Sequence, residues 1–233
     1  MLLTFLTYSF LLQRYYIVLA VILSVVALYY SSNFFKYRNV FIVFAFILFI
    51  IYSMTFIRLS GTIVNYLYYL SDMRYNIKYA FITEPYMYIV MNLETFANAV
   101  DKLHKFTYGT FTFDFIFALT GLKHPLAEYL NLPKFPFLLT NNYNTYTMFF
   151  VYYWDYGVFG LGIIPLLLGM SFSSVYYKMR LKPDINSVSM YAMAAFVIIF
   201  SFFVPIITFL HFIFNLLLIY FMTKAIIVKS DAG

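Results

Sequence analysis

Residues 141–162 read NNYNTYTMFFVYYWDYGVFGLG, and they carry the strongest topological signal in the chain. The stretch opens polar, with Asn141, Asn142, Asn144, Thr145 and Thr147 set among tyrosines. It then passes through Phe149, Phe150, Tyr152, Tyr153 and Trp154 to Asp155, after which Gly157, Gly160 and Gly162 open a long apolar run. Polar loop, aromatic band and apolar span, in that order, describe a chain going into a bilayer from its watery side. A lone acid at that threshold is costly unless it has a partner or faces a wet cavity.

Composition points the same way. Hydrophobic residues make up 64% of the 233, charged residues 10%, and the mean hydropathy is +0.84, outside the range of soluble globular domains. Phe and Tyr fill 55 positions, an aromatic content suited to lipid, headgroups or a lipid-linked ligand. The absence of cysteine excludes disulfides and thiolate metal sites. The net charge of +6 comes without a basic cluster outside the short inter-span segments, so nucleic acid is not an expected partner. Residues 1–12 are apolar but lack a basic leader and a small-residue cleavage site, so they do not read as a signal peptide. They are also shorter than the about 20 residues a spanning helix needs. The expectation is a truncated N-terminus, or a partial segment joined to the next span.

Apolar runs at 15–30, 40–57, 157–177, 188–204 and 206–227 predict an all-α, polytopic integral membrane protein with about five transmembrane helices. Lys36 and Arg38, then Lys178, Arg180 and Lys182, then Lys224 and Lys229 mark three short polar segments. Placing all three on the cytoplasmic side satisfies the positive-inside rule and puts residues 58–147 outside. The chain thus divides into N-terminal transmembrane segments (1–57), an external, periplasmic loop (58–147) and C-terminal transmembrane segments (148–233).

The external loop is too long to be an idle connection and too apolar to be disordered. Thr83 is expected to N-cap a helix with Glu84 and Pro85 in its first turn. Tyr86, Ile89, Val90, Leu93, Phe96, Ala97, Val100 and Leu103 then recur at helical spacing, with Asn92, Glu94, Asn98, Asp101, Lys102 and Lys105 on the other face. Such an amphipathic helix either lies on the outer membrane surface or covers a cavity between spans. A second helical piece, 110–120, is expected to stop at Gly121.

Several side chains suit chemistry at that outer face. Arg58 sits where the second apolar run ends, and a planar, five-donor guanidinium there fits phosphate or pyrophosphate oxygens; the alternative is a snorkelling anchor. Asp155 either pairs with an arginine to fix the site or caps the N-terminus of the span. Asn144, Tyr146 and Thr147 suit sugar hydroxyls and pyranose faces; the alternative is an interfacial aromatic belt with turn-forming asparagines. His104 and His124 are external and suit a base or a phosphate contact, whereas His211 reads as a core residue. Glu84, Glu94, Asp114 and Glu128 are external carboxylates able to take a proton from an acceptor hydroxyl. No metalloprotease, Walker, dinucleotide or nucleophile-elbow motif occurs, so neither a catalytic metal nor a cofactor is expected.

Residues 144–169, NTYTMFFVYYWDYGVFGLGIIPLLLG, resemble the late segment of bacterial oligosaccharide repeat unit polymerases, the Wzy-type O-antigen or capsule polymerases. Members of that family tend to show Asn-x-Tyr-Thr, a spacer, and then Asp-Phe/Tyr-Gly-x-x-Gly opening a span. The matching positions are Asn144, Tyr146, Thr147, Asp155, Tyr156, Gly157 and Gly160. Arg58 and Gly61 resemble an Arg-x-x-Gly exit, and residues 109–113 a Gly-Thr-Phe-x-Phe element. The resemblance covers roughly residues 40–228, and the chain looks like the C-terminal half of a family member. It implies a metal-independent glycosyltransferase at the outer face of the bacterial inner (plasma) membrane. A growing glycan on undecaprenyl pyrophosphate would be transferred to a sugar hydroxyl of a new lipid-linked repeat unit. On that reading Arg58 and Asp155 are catalytic, Arg74 and Lys78 help to hold the pyrophosphate, and Asn144, Tyr146 and Thr147 bind sugar. The implied partners are undecaprenyl-pyrophosphate-linked oligosaccharide, membrane lipids, and flippase and chain-length regulator proteins. Two alternatives stand beside it: an O-antigen ligase-like transferase, and a non-catalytic multi-pass transport or assembly subunit. The nearly charge-free spans and the outward clustering of polar groups favour chemistry at the external surface over transport.

Overall fold

Runs that are apolar on every side, without alternation, favour helix over strand. The computed structural model describes residues 14–31, 74–132, 137–138 and 145–231, together with positions 41, 45, 49, 65, 68 and 69. Every regular element among these is helical. In chain order they are α1 (Arg14–Ser31), a 3-10 helix (Ile77–Ile82), α2 (Thr83–Lys102), α3 (Asp114–Thr120), α4 (Lys123–Tyr129), α5 (Met148–Leu181), α6 (Ile185–Phe200), a 3-10 turn (Ile206–Thr208) and α7 (Leu210–Asp231).

Two of these are long and apolar enough to cross a membrane: α5, and Leu210–Ile227 of α7. Only 6% and 11% of their most apolar windows are buried within the protein. The apolar parts of α1 and α6 are shorter. Of the second expected span, 40–57, only Phe41, Ala45 and Phe49 are described, each helical; the remainder lies outside the described residues. Pro205 and the 3-10 turn separate α6 from α7, the break expected there, but α7 starts at Leu210 rather than at residue 206.

The chain forms two compact units. One draws on Met1–Glu84, Val175–Phe196 and Met222–Gly233, the other on Pro85–Ser174 and Val197–Phe221. In the first, Ile17, Val18, Leu19, Met179, Ala192, Met193 and Phe196 are buried. Tyr191 lies edge-on to Tyr30 and tilted against Tyr176, at centroid separations of 6.1 and 5.7 Å. The buried Asn186 amide donates to the Thr223 hydroxyl at 2.8 Å, a polar pin between α6 and α7.

The start of α6 is built by its own sequence. Asp184 is the N-cap: its carboxylate accepts from the Ser187 N–H at 2.7 Å, while its N–H donates to the Ser187 hydroxyl at 3.0 Å. This is a reciprocal capping box. The Ser187 N–H holds the Asp184 carboxyl below the ordinary aspartate range; partial burial opposes this, and the Ser187 side chain, Lys182 and Lys178 add to it.

Two helix starts differ from expectation. The 3-10 helix, capped by Asn76 accepting from the Lys78 N–H at 3.0 Å, runs directly into α2. Thr83 therefore has helical angles (φ −57°, ψ −48°) and is not an N-cap. Its hydroxyl pairs with that of Tyr75 at 2.9 Å, since the preceding turn already supplies helical geometry. α3 begins at Asp114 rather than residue 110, and it ends as expected at Gly121, left-handed at φ 74°.

Asp184→Ala is expected to cost about 1 kcal/mol, read as a lower thermal midpoint of detergent-solubilised protein, whereas Asp184→Asn retains a cap and costs little. Because the folded carboxyl titrates below its unfolded value, its stabilisation is complete above the ordinary aspartate value near 4. It is lost as pH falls through the lowered folded value, and the Asn variant will lack that acid limb. An Ala variant as stable as wild type would refute the capping assignment.

Candidate functional site

The junction at the head of α5 is where the sequence and the packing converge. Thr147 begins it: its buried hydroxyl accepts from the Phe150 N–H at 3.0 Å, the geometry of an N-cap. The Met148 N–H donates to the Ser201 carbonyl at 2.8 Å. The Tyr146 ring lies on Phe150 with centroids 4.3 Å apart, and burial pushes its phenol up from the ordinary tyrosine range.

α2 runs beside this lead-in. The Thr145 hydroxyl donates to Asn92 Oδ1 at 3.0 Å, the Tyr153 ring stands edge-on to Phe96, and the Tyr153 hydroxyl reaches the Val100 carbonyl at 3.5 Å. These contacts advance in the same direction along both segments.

At Gly157 the helix breaks. Its φ of 61° and ψ of −144° are far from helical, in a region that only glycine adopts cheaply. In an unbroken helix the carbonyls of Trp154 and Asp155 would accept from residues 158 and 159. Here they accept from the N–H groups of Thr107 and Tyr108, at 3.2 and 3.1 Å. The glycine break thus opens a place for the segment that follows α2.

The Asp155 side chain completes the grip. It is fully buried, 0% exposed. One carboxylate oxygen accepts from the Thr107 hydroxyl and, at 3.2 Å, from the Phe111 N–H; the other accepts from the Thr112 N–H at 2.5 Å. A buried carboxylate is tolerable only when its oxygens are satisfied in this way. Phe111 stacks on Trp154, the single tryptophan, at 4.2 Å and 23°, and Phe150 meets that indole edge-on at 5.4 Å.

Small residues are required at three points. A Cβ at Gly109 (φ 98°) would lie 2.5 Å from the Tyr156 hydroxyl oxygen, one at Gly157 2.9 Å from the Phe106 ring, and one at Gly160 2.1 Å from the Tyr152 carbonyl oxygen. Gly162 has nothing within 4 Å. The Asp-Tyr-Gly-x-x-Gly spacing is therefore a packing requirement of the junction. Two buried hydroxyls beside it, on Tyr152 and Thr112, have no hydrogen-bond partner among the described residues.

The expected site residues fall out as follows. Tyr146, Thr147 and Asp155 share the second unit and the head of α5. Asp155 lies beyond the first turn of α5, so it does not cap that helix, and no arginine among the described residues pairs with it. Thr147 serves as a helix cap. Arg74 and Lys78 belong to the other unit and are exposed, the Lys78 ammonium lying 5.2 Å over the Tyr79 ring. Arg58 and Asn144 lie outside the described residues. His104, His124, Glu94 and Glu128 are exposed, and Asp114 pairs with Lys123 at 2.7 Å. Among the described residues no three acidic or histidine side chains converge as metal ligands would. As partners of Asp155, Thr107, Phe111 and Thr112 leave no residue-type signature in the sequence, because two of the three donors are backbone N–H groups and the third is a common hydroxyl. No protein-family model, curated protein or solved structure matches the chain.

Chemically, a carboxylate holding three donors is an anchor for the 107–112 turn. Asp155→Asn removes an acceptor and adds a donor facing donors, at an expected cost of about 2–3 kcal/mol. Limited proteolysis between residues 104 and 113 will show it as faster cutting, and cutting no faster than in wild type would refute the anchor. Gly157→Ala is expected to cost upwards of about 2 kcal/mol, whereas Gly162→Ala, in open helix, will be neutral or stabilising. Equal thermal midpoints for the two variants would contradict the break.

Proposed function

We propose that the chain is a multi-pass bacterial inner-membrane transferase with about five spans, its Lys/Arg-bearing short segments cytoplasmic and residues 58–147 outside. Within that class, we propose an oligosaccharide repeat unit polymerase of the Wzy type. The observation that supports this reading is a contact. Two of the three sequence elements behind the resemblance, the 109–113 element and the Asp155–Gly160 end of the motif that starts at Asn144, are far apart in sequence but pack on one another through Asp155, with Phe111 on Trp154.

The reaction breaks the bond between the anomeric carbon of the growing glycan and its pyrophosphate. The electron pair leaves with undecaprenyl pyrophosphate, and the acceptor sugar hydroxyl forms the new glycosidic bond and loses its proton. A leaving group of this kind is already a stable anion, so the protein's task is to position two lipid-linked sugars and place cations near the phosphates. Arg58 is proposed for that cation role, with Arg74 or Lys78 assisting. Asp155 acts as a positioning residue that keeps the 107–113 turn against the head of α5, and Asn144 and Tyr146 are proposed for sugar binding.

The test is complementation of a polymerase-null strain, scored by the surface-glycan ladder with membrane levels checked. Wild type is expected to restore the ladder and Arg58→Ala to abolish it at equal membrane level. Well-inserted wild type that restores no ladder would count against the proposal.

A further inference from the structure

α2 carries an apolar stripe on its outward side. The helix buries Asn92 and Thr95 together with Met87 and Ala99, each 1% exposed, while Leu93 and Val100 remain 46% and 44% exposed. Tyr86, Ile89 and Ala97 continue the same exposed stripe, at the i, i+3, i+7, i+11, i+14 spacing of one helix face. A helix standing in water would turn that stripe inward and leave its asparagine and threonine out. From its apolar side, this one is arranged for a non-aqueous neighbour.

The same unit indicates what that neighbour is. α2 is fastened along the head of α5 by Asn92–Thr145, Phe96–Tyr153 and Tyr153–Val100, and its trailing turn is held at Trp154 and Asp155. Those contacts end at the Gly157 break, and immediately past it α5 presents Val158 and Phe159 at 75% and 78% exposure. The last stripe residue, Val100, sits beside Tyr153, within two turns of that bare apolar run. Exposed Glu94 and Asp101 border the stripe along one edge, as the charged edge of an interfacial helix does where it meets headgroups.

We infer that α2 is an interfacial helix whose Tyr86/Ile89/Leu93/Ala97/Val100 face docks into the outer leaflet of the bilayer. The bilayer is the occupant, and the face is not a seat for another protein. Held there, the 107–113 turn stays at the membrane surface, where a lipid-linked substrate carries its pyrophosphate. The inference rests on the membrane reading above and not on the transferase chemistry.

The chain has no cysteine, so a single introduced thiol can be labelled uniquely. Leu93→Cys, Val100→Cys, Glu94→Cys, Asp101→Cys and Phe159→Cys, each carrying a polarity-sensitive fluorophore, are reconstituted in phosphatidylethanolamine/phosphatidylglycerol vesicles. Quenching is then compared between nitroxide-bearing acyl chains and aqueous iodide. Labels at 93, 100 and 159 are expected to be quenched by the lipid-borne nitroxide and shielded from iodide. Labels at 94 and 101 are expected to be quenched by iodide. Lipid quenching at 159 with iodide quenching at 93 and 100 would overturn the inference alone, since the stripe would face water. Quenching by neither agent at 93 and 100 would also overturn it, because protein would cover the face. Loss of lipid quenching at 159 would overturn the membrane reading and the inference together.

Discussion

Burying a carboxylate is tolerable only if hydrogen-bond donors or a paired cation replace the water it loses. Asp155 meets that condition with the Thr107 hydroxyl and the N–H groups of Phe111 and Thr112. The requirement reaches in both directions along the chain. It fixes the path of residues 106–113 between α2 and α3, and it fixes where α5 must break, because the Trp154 and Asp155 carbonyls can serve Thr107 and Tyr108 only if the helix does not claim them. Gly157 supplies the break, and Gly109 and Gly160 supply the closeness. The aromatic stack of Phe111, Trp154 and Phe150 packs beside these contacts, and the Asp155 side chain is fully buried.

This changes the part assigned to the most conspicuous acid of the chain. A carboxylate with both oxygens occupied by a turn is suited to holding geometry rather than to moving a proton. In the proposed transferase the chemistry would rest on cations near the pyrophosphate and on the positioning of two lipid-linked sugars, and Asp155 would set the frame in which that positioning occurs. Thr147 likewise has a structural task as the cap of α5.

Much of the architecture was legible. The period-3.6 stripe after residue 83 gave α2, Gly121 gave the end of α3, and Pro205 marked the break between α6 and α7. Other features were not, each for a physical reason. Thr83 carries a capping residue's chemistry, but the 3-10 helix before it had already wound the chain. The stripe on α2 declared an amphipathic helix without saying which face meets protein, because that depends on the medium outside. The partners of Asp155 lie 43–48 residues away and are mostly backbone, which no residue pattern announces. Gly157, Gly160 and Gly162 follow closely on Asp155, and only the folded backbone distinguishes Gly157, at positive φ, from Gly162, which merely sits in helix. The Asp184-x-x-Ser187 capping box, by contrast, is readable in the residue types themselves.

The most direct test of the clasp is native-state hydrogen exchange of the lipid-reconstituted wild-type protein, followed at the amides of Phe111 and Thr112. If the buried Asp155 carboxylate holds them, both will exchange far more slowly than the exposed amides around Gly121 and Leu122, and at a rate tied to unfolding of the α5 head. Exchange of Phe111 and Thr112 at the rate of those exposed amides would mean that no clasp exists, and that Asp155 is available for another role.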